Sequence, residues 1–308
     1  MIYFILTYVL SFCFYFLLKF FNTKHSIRQT EREEGLDSHK LKSGTPTLGG
    51  IIFVLIPTCL LLIKYQSFDA IIISIAYLSF SIVGFIDDVK IIKSNKNDGL
   101  TPKKRLILEY VISFIILILC LIKGYSKKIL IMELTINLGV FFLPFMSTFM
   151  VGTANSYNLT DGIDGLASSV SAIILTCLTV IGIMFGQPEI SVFGSIVIGA
   201  VLGFLMFNLH PAKVFMGDTG SLLLGGVISA IALYLKMPLL LLLIAIIPVI
   251  ETISVIIQVV YFKKTGKRVF KMTPIHHHFE LSGWTENKVV VIFSVITLIV
   301  CVIGLKII

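Results

Sequence analysis

Long apolar runs separated by short polar links extend along the whole chain. A membrane-spanning helix needs roughly 20 apolar residues. Ten runs approach that length: 2–20, 47–64, 69–86, 105–123, 133–152, 166–185, 190–207, 220–236, 238–262 and 288–305. Pro144 and Pro248 interrupt the fifth and ninth runs, which is tolerated where neighbouring helices satisfy the freed backbone groups. The pattern predicts an all-α, polytopic membrane helical bundle of about ten transmembrane helices, with residues 1–308 as a single integral membrane domain.

The composition indicates that lipid covers much of the surface. Hydrophobic residues make up 56% of the chain and charged residues 14%, and the mean hydropathy is +0.99. A soluble domain carries about 25% charged residues, so this chain has too little charge to cover a water-facing surface. Residues 1–18 lack a preceding basic residue and a small-residue cleavage site, so we interpret them as part of the first span rather than as a signal peptide.

The basic residues predict the orientation in the membrane, because cytoplasmic links carry an excess of Lys and Arg. Residues 21–46, 87–104, 153–165, 208–219 and 263–287, with the adjoining helix ends, hold 19 of the 25 Lys and Arg. This side is therefore predicted to be cytoplasmic, with both termini extracytoplasmic. The net charge of +8 lies in these links rather than on a folded water-exposed face, so no nucleic-acid partner is expected.

The polar residues that could take part in catalysis or binding are concentrated on the same side. All six histidines fall there, whereas the outer links offer only three acids, Asp69, Glu133 and Glu189. The five cysteines lie in five different apolar runs, which is typical of small packing residues rather than of disulfides or a metal site. This asymmetry predicts an enzyme that acts on phosphorylated substrates where water meets lipid.

The third apolar run ends in Gly-Phe-Ile-Asp-Asp, residues 84–88. A helix C-terminus carries partial negative charge, so a carboxylate there costs a few tenths to about 1 kcal/mol. Asp87 and Asp88 therefore indicate metal or phosphate chemistry, and the alternative is a solvated helix end. The Lys-rich stretch 90–105 that follows is typical of a positive anchor at the membrane surface.

Two further polar motifs stand at predicted membrane boundaries. Residues 155–165 read Asn-Ser-Tyr-Asn-Leu-Thr-Asp-Gly-Ile-Asp-Gly, and helix capping by Thr160 or Asp161 would explain one acid but not the whole run. Residues 215–221 read Phe-Met-Gly-Asp-Thr-Gly-Ser. Asp218 there is either a helix cap or part of a phosphate and Mg²⁺ site at a positive helix end.

The last cytoplasmic link contains Pro-Ile-His-His-His-Phe-Glu, residues 274–280. Adjacent histidines diverge, so hydrogen bonding to phosphate or sugar is an alternative to a transition-metal site. Taken alone, residues 39–50 are typical of a basic turn. Glu251 lies inside the ninth run, where an acid is costly and is either functional or paired with a neighbouring helix.

Taken together and in order, these motifs resemble the phospho-N-acetylmuramoyl-pentapeptide-transferase family, within the polyprenyl-phosphate N-acetylhexosamine-1-phosphate transferase superfamily. The similarity runs from His39 to the final span. Gly-Asp-Thr-Gly-Ser alone is a weak signal, but its combination with Asp87-Asp88, Asn-Leu-Thr-Asp-Gly-Ile-Asp-Gly and the triple histidine is specific. The triple histidine distinguishes this family from relatives that transfer N-acetylglucosamine-1-phosphate.

The resemblance implies a Mg²⁺-dependent phosphoglycosyl transferase, a ten-span homodimer of the bacterial cytoplasmic (inner) membrane with its active site on the cytoplasmic face. It would transfer phospho-MurNAc-pentapeptide from UDP-MurNAc-pentapeptide to undecaprenyl phosphate. The products would be lipid I, for peptidoglycan biosynthesis, and UMP.

The resemblance also assigns roles to residues. Asp218 corresponds to the Mg²⁺ ligand, with Asn158 as a weaker second candidate; Asp87 corresponds to the proposed base or nucleophile and Asp88 to its essential neighbour. The residues that match substrate-binding positions are Lys42, Lys103, Asn155, Asn158, Asp161, Asp164, Asn208, His276, His277 and His278. This chain has Ile91 where the family usually has a lysine, and Lys90 stands one position early, so that lysine's role is not carried over.

Three alternative functions remain at this point. A related transferase would accept a different UDP-sugar. An intramembrane prenyltransferase also uses paired acids and Mg²⁺, but it would not release UMP. A secondary transporter would place its polar sites near the membrane midplane, a pattern that only Glu109 and Glu251 fit.

Overall fold

The computed structural model describes residues 1–25, 45–94, 99–131 and 134–308. Its helices are α1 (Ile2–His25), α2 (Leu55–Lys64), α3 (Phe68–Ser94), α4 (Pro102–Ile122), α5 (Phe142–Thr160), α6 (Leu166–Met184), α7 (Pro188–Asn208), α8 (Gly217–Tyr234), α9 (Pro238–Ile244), α10 (Ile246–Thr265), α11 (Ile275–Glu280) and α12 (Glu286–Ile307). Two short 3₁₀ helices, Gly49–Phe53 and Gly139–Phe141, precede α2 and α5.

Eight of these helices are long and apolar enough to cross a membrane: α1, α3, α4, α6, α7, α8, α10 and α12. The helix α2 is shorter, and α5, with 19 residues, carries part of the Asn-rich motif at its C-terminal end. The prediction of an all-α polytopic membrane protein is confirmed. The first predicted span corresponds to α1.

The predicted span at 133–152 begins too early. Strands β1 (Lys128–Ile131) and β2 (Leu134–Asn137) pair in antiparallel register, and α5 starts only at Phe142. The reason is Pro144, which lacks a backbone N–H and is tolerated in the first turn of a helix but not in its interior. Starting the helix two residues before Pro144 leaves the preceding segment free to form the hairpin.

Two other predicted spans are interrupted. The segment 238–262 divides at Ala245 into α9 and α10, which places Pro248 in the first turn of α10, where its missing N–H breaks no hydrogen bond. The segment 47–64 starts as a 3₁₀ helix. The amides of Gly49 and Gly50 there donate to the carbonyls of Phe215 (2.8 Å) and Met216 (2.9 Å), which ties this segment to the start of α8.

The helix α8 is the most buried of the eight candidate spans, and it packs between α3 and α5. Gly84 of α3 lies so close to α8 that a Cβ on it would overlap the backbone of Asp218 and Thr219. Small residues permit such close approach of helices in membranes. The acidic end of α3 is thereby placed against the first turn of α8.

We expect Gly84→Ala to destabilise the protein by about 1–3 kcal/mol, because the neighbouring atoms are backbone and cannot move aside. The measurement is thermal unfolding in detergent. Gly152→Ala is the matched control, since a Cβ on this helical glycine would meet nothing within 4 Å. Equal stability of the two variants would contradict the close contact of α3 and α8.

Candidate functional site

The polar motifs and the β-hairpin lie at opposite ends of α8. At its C-terminal end, the amide of Leu130 in β1 donates to the carbonyl of Lys236 (2.7 Å), and the hydroxyl of Tyr125 donates to the carbonyl of Tyr234. At its N-terminal end, α8 contacts Asp88 of α3. The candidate site residues therefore gather at one end of the bundle.

Asp88 binds the first turn of α8 with both carboxylate oxygens. Its Oδ1 accepts from the backbone N–H of Asp218 (3.0 Å), and its Oδ2 accepts from the N–H and the hydroxyl of Thr219 (2.9 and 2.5 Å). The first N–H groups of a helix have no partner within it and attract anions. Asp88 is thus an N-cap supplied by another helix, and it fixes the position of Asp218.

Asp87 faces the loop that follows α3. Its Oδ1 accepts from the backbone N–H of Leu100 (2.5 Å), and the Lys90 ammonium donates to the carbonyl of Gly99 (2.8 Å). Asp87 is close enough to Asp218 for their charges to interact. The two adjacent acids of α3 therefore point to different partners, as their helical positions predict.

Asp218 is the hub of the site. Its Oδ2 accepts from Nη1 of Arg105 (2.7 Å), and its Oδ1 accepts from Nδ2 of Asn158 (2.8 Å), which also donates to the Ser221 hydroxyl (2.9 Å). These contacts join the starts of α4 and α8 to the end of α5. The Asp218 carboxylate therefore brings together three segments that are far apart in sequence.

Glu109 continues this network one turn along α4. Its side chain is fully buried and accepts from Nε of Arg105 (3.1 Å) and from the amide of Asn155. Arg105 therefore bridges Glu109 and Asp218. This pairing explains the acid within a membrane helix without a transport pathway.

Asp161 follows α5 in the Asp161–Gly165 loop. Burial raises the pKa of its carboxyl well above the usual range, and nearby negative charges raise it further. Those charges belong to Asp218, Asp88 and Asp164. Several carboxylates whose charges repel one another suit a divalent cation, since Mg²⁺ prefers oxygen ligands, carboxylates among them.

Asp164 joins the same loop to two others. Its Oδ2 lies 2.9 Å from Nδ1 of His210 and accepts from the N–H of Ala212 (3.0 Å), while its own N–H donates to Glu286 at the start of α12 (3.2 Å). Asp164, His210 and Glu286 offer ligand atoms within 4.8 Å of one another. These contacts hold the loop between α7 and α12.

Asn208 is buried at the end of α7 and uses both ends of its amide within the protein. Its Oδ1 accepts from the Ser168 hydroxyl and its Nδ2 donates to the carbonyl of Val214, both at 3.0 Å. It closes the loop that leads to Asp218. Its predicted substrate contact stays a prediction.

The three histidines of α11 face different partners. Nδ1 of His276 lies 3.1 Å from a carboxylate oxygen of Glu251, and Nδ1 of His277 lies 2.7 Å from Glu280. Nδ1 of His278 accepts from the N–H of Lys271 (3.1 Å). The divergence expected of adjacent histidines is observed, and it argues against one metal ion held by all three.

Arg105 was not among the residues predicted for the site. Lys103, predicted to be on the phosphate side, is exposed in the first turn of α4, whereas Arg105 reaches Asp218. The spacing of Arg105 and Glu109, four residues apart on one helix face, could have revealed the pair, but Arg105 was grouped with the membrane-anchoring lysines. Lys42 lies outside the described residues.

An apolar groove of about 530 Å³ runs along α5 beside α9 and α10. Its lining is mostly aliphatic and aromatic, with Thr153, Ser156 and Tyr157 at the α5 side. Asn158, the next residue of α5, donates to Asp218. One helix thus connects the groove with the acidic site.

The chain is similar to proteins of known family. The Glycosyl transferase family 4 model matches residues 70–236. Phospho-N-acetylmuramoyl-pentapeptide-transferase of Clostridium novyi is 46% identical over 91% of this chain and 88% of its own. The proteins of the same name from Clostridium botulinum (Eklund 17B) and Clostridium perfringens (strain 13) are 48% and 47% identical, over 90% of this chain and 86% and 88% of theirs. This chain belongs to the phospho-N-acetylmuramoyl-pentapeptide-transferase family.

Proposed function

We propose that this chain transfers phospho-MurNAc-pentapeptide from UDP-MurNAc-pentapeptide to undecaprenyl phosphate, releasing UMP and forming lipid I. The observation that carries the proposal is the convergence of Asp87, Asp88 and Asp218 beside Arg105, next to an apolar groove. An acidic site alone would suit many phosphate enzymes. The adjacent groove adds a place for a lipid substrate.

The two substrates need different surroundings, and α5 offers both. The apolar groove along α5 and α10 suits the polyprenyl chain, since its lining is mostly apolar. The phosphate at the end of that chain would then lie near Asn158 and Asp218. The nucleotide-sugar would approach from water, on the side of the Asp161–Gly165 loop.

The residues present fit Mg²⁺, and we include its requirement in the proposal. Asp218 would hold the ion, with Asn158 as its hydrogen-bonded neighbour and second candidate ligand and Asp87 close by. A bound Mg²⁺ neutralises phosphate charge during phosphoryl transfer. Arg105 adds a fixed positive charge beside the same carboxylate, so two like-charged substrates can approach each other.

The reaction is a displacement at the phosphorus that carries the sugar. A phosphate oxygen of the acceptor forms the new P–O bond, the bond to the bridging oxygen breaks, and UMP leaves. The second pKa of a phosphate monoester is near 6, so the acceptor is already largely a dianion at neutral pH. Asp87 is then needed to position the acceptor or its cation more than to deprotonate it.

We expect inversion of configuration at the transferred phosphorus, because a single displacement inverts that centre. The measurement uses UDP-MurNAc-pentapeptide made chiral at this phosphorus. Retention would instead indicate two displacements through a covalent intermediate on Asp87, and it would overturn the direct attack proposed here.

The assay that tests the function combines purified protein, UDP-MurNAc-pentapeptide, undecaprenyl phosphate and Mg²⁺. Release of UMP with formation of a new lipid supports the proposal, and turnover that proceeds only with a different UDP-sugar refutes it. Omitting Mg²⁺ tests the metal requirement in the same experiment.

We also propose that the acidic site lies on the cytoplasmic face and that the chain forms a homodimer. The excess of Lys and Arg in the links at that end supports the orientation. The orientation is tested with Lys271→Cys. Labelling of this cysteine by a membrane-impermeant reagent in intact cells would contradict a cytoplasmic location. A monomeric mass by light scattering in mild detergent would contradict the dimer.

A further inference from the structure

Glu251 and His276 are polar residues that the proposed transfer reaction does not use directly. Both side chains are fully buried. Glu251 lies in the second turn of α10, a membrane helix, where an acidic side chain is costly and marks a functional or paired residue. His276 belongs to α11 and approaches Glu251 from the loop at the polar end of the bundle.

Glu251 contacts His276 at two points. Its Oε2 lies 3.1 Å from Nδ1 of the ring and 3.4 Å from the backbone nitrogen of the same residue. A carboxylate beside one ring nitrogen of a histidine is a common means of fixing the ring's orientation. Glu251 therefore lies along one edge of the ring and leaves the opposite edge to the rest of the site.

The opposite edge of the ring faces the Asp161–Gly165 loop. A Cβ on Gly162 would overlap Nε2 and Cε1 of His276, so the ring packs directly against the backbone next to Asp161. Within the part of the chain that the structure describes, Nε2 of His276 and Oε1 of Glu251 have no hydrogen-bond partner. Nδ1 of His276 lies near Glu251 but is not aligned for a hydrogen bond with it. Hydrogen bonds of this kind often shorten and align only when substrate binds.

We propose that Glu251 is a positioning residue: it orients the ring of His276, and the ring supports the Asp161–Gly165 loop in the conformation that binds the nucleotide-sugar. The inference rests on the proposed function for the identity of this substrate. The contacts themselves run from α10 through α11 to the loop. Because buried polar groups without partners cost free energy, the orphaned atoms are consistent with a site that is completed by a ligand.

The test compares Glu251→Gln with Ser254→Ala, a matched control one turn along α10. The Ser254 side chain is buried, and among the described residues its hydroxyl donates to the backbone carbonyl of Glu251 alone. We expect Glu251→Gln to raise the KM for UDP-MurNAc-pentapeptide about 10-fold, the lower end of the losses seen when a partner that orients a metal-binding histidine is removed. The KM for undecaprenyl phosphate should stay unchanged. Ser254→Ala should match the unchanged protein in both constants.

A second variant keeps the inference testable if Glu251→Gln does not fold. Gly162→Ala places a methyl group against the ring and should raise the same KM. The double variant should show much less than the product of the two effects, since both act through one contact chain. Equal changes in both KM values, or independent effects of the two substitutions, would overturn the inference.

Calorimetric binding of UDP-MurNAc-pentapeptide separates this inference from the proposed function. Absence of UMP release by the unchanged protein would count against the function. Unchanged affinity in Glu251→Gln, measured without the lipid acceptor, would count against the positioning role alone. The positioning role is supported if Glu251→Gln weakens the affinity and Glu251→Asp, which keeps the carboxylate, weakens it less.

Discussion

Replacing Asp218 with Asn is expected to lower turnover of UDP-MurNAc-pentapeptide by about 10³-fold, the upper range for loss of one preorganised charge at a reacting centre. The substitution removes the negative charge that pairs with Arg105 at 2.7 Å and that would hold Mg²⁺. Folding should survive, because Asp218 also repels Asp87 and Asp88. The relief of that repulsion offsets the loss of the ion pair.

The measurement is UMP release across a Mg²⁺ titration, together with thermal unfolding in detergent. Asp69→Asn is the matched control: it makes the same chemical change at the opposite end of α3, where Asp69 pairs with Lys123, and it should leave turnover unchanged. Near-normal turnover of Asp218→Asn at every Mg²⁺ concentration would reduce Asp218 to a structural residue at the start of α8.

Replacing Asp88 with Asn is expected to lower both stability and turnover. Asp88 accepts three hydrogen bonds at the first turn of α8, and an amide nitrogen in place of one oxygen cannot accept. Loss of a buried hydrogen bond to a charged group costs about 1.5–3 kcal/mol. Turnover should fall by about 10²-fold or more, since the displaced helix end carries Asp218.

Thermal unfolding and UMP release, measured on the same samples, distinguish two roles for Asp88. Thr219→Val removes only the hydroxyl bond and should cost about 1 kcal/mol, and its effect should not add fully to that of Asp88→Asn. If Asp88→Asn unfolds like the unchanged protein and still loses turnover, Asp88 acts on the substrate directly. The helix-capping role would then be wrong.

Local sequence patterns predicted the membrane fold well and its irregular segments poorly. Length and hydropathy identify α1, α3, α4, α6, α7, α8 and α12, because each is a continuous apolar run of the required length. The runs around Pro144 and Pro248 were each predicted as one span interrupted by a proline, whereas one helix starts only at Phe142 and the other run divides at Ala245. Hydropathy averaged over a window does not register a single missing N–H, although that group determines where a helix can begin.

The candidate residues were identified largely from motifs, but their partners were not. The sequence marks Asp87, Asp88 and Asp218 as unusual, since acids at membrane boundaries cost free energy. It contains no sign that Asp88 caps α8 while Asp87 faces the loop at Leu100. That difference depends on how α3 packs against α8 across Gly84.

The partners of Arg105 and Glu251 also could not be identified from the sequence. In the sequence, Arg105 is one of several basic residues near a helix start, and Glu251 is an isolated acid in an apolar run. Only the folded chain shows that Arg105 bridges Glu109 and Asp218 and that Glu251 lies against His276. Arg105 and Asp218 are 113 positions apart and Glu251 and His276 are 25 apart, so neither contact leaves a local pattern in the sequence.

The sequence by itself determined that this protein is a helical membrane bundle with its polar chemistry on one side, because the cost of placing charge in lipid is already set by residue type. The tertiary structure alone decided which acid holds which helix and which histidine is supported from within the membrane. Those contacts depend on distances between helices, which side-chain identity does not contain.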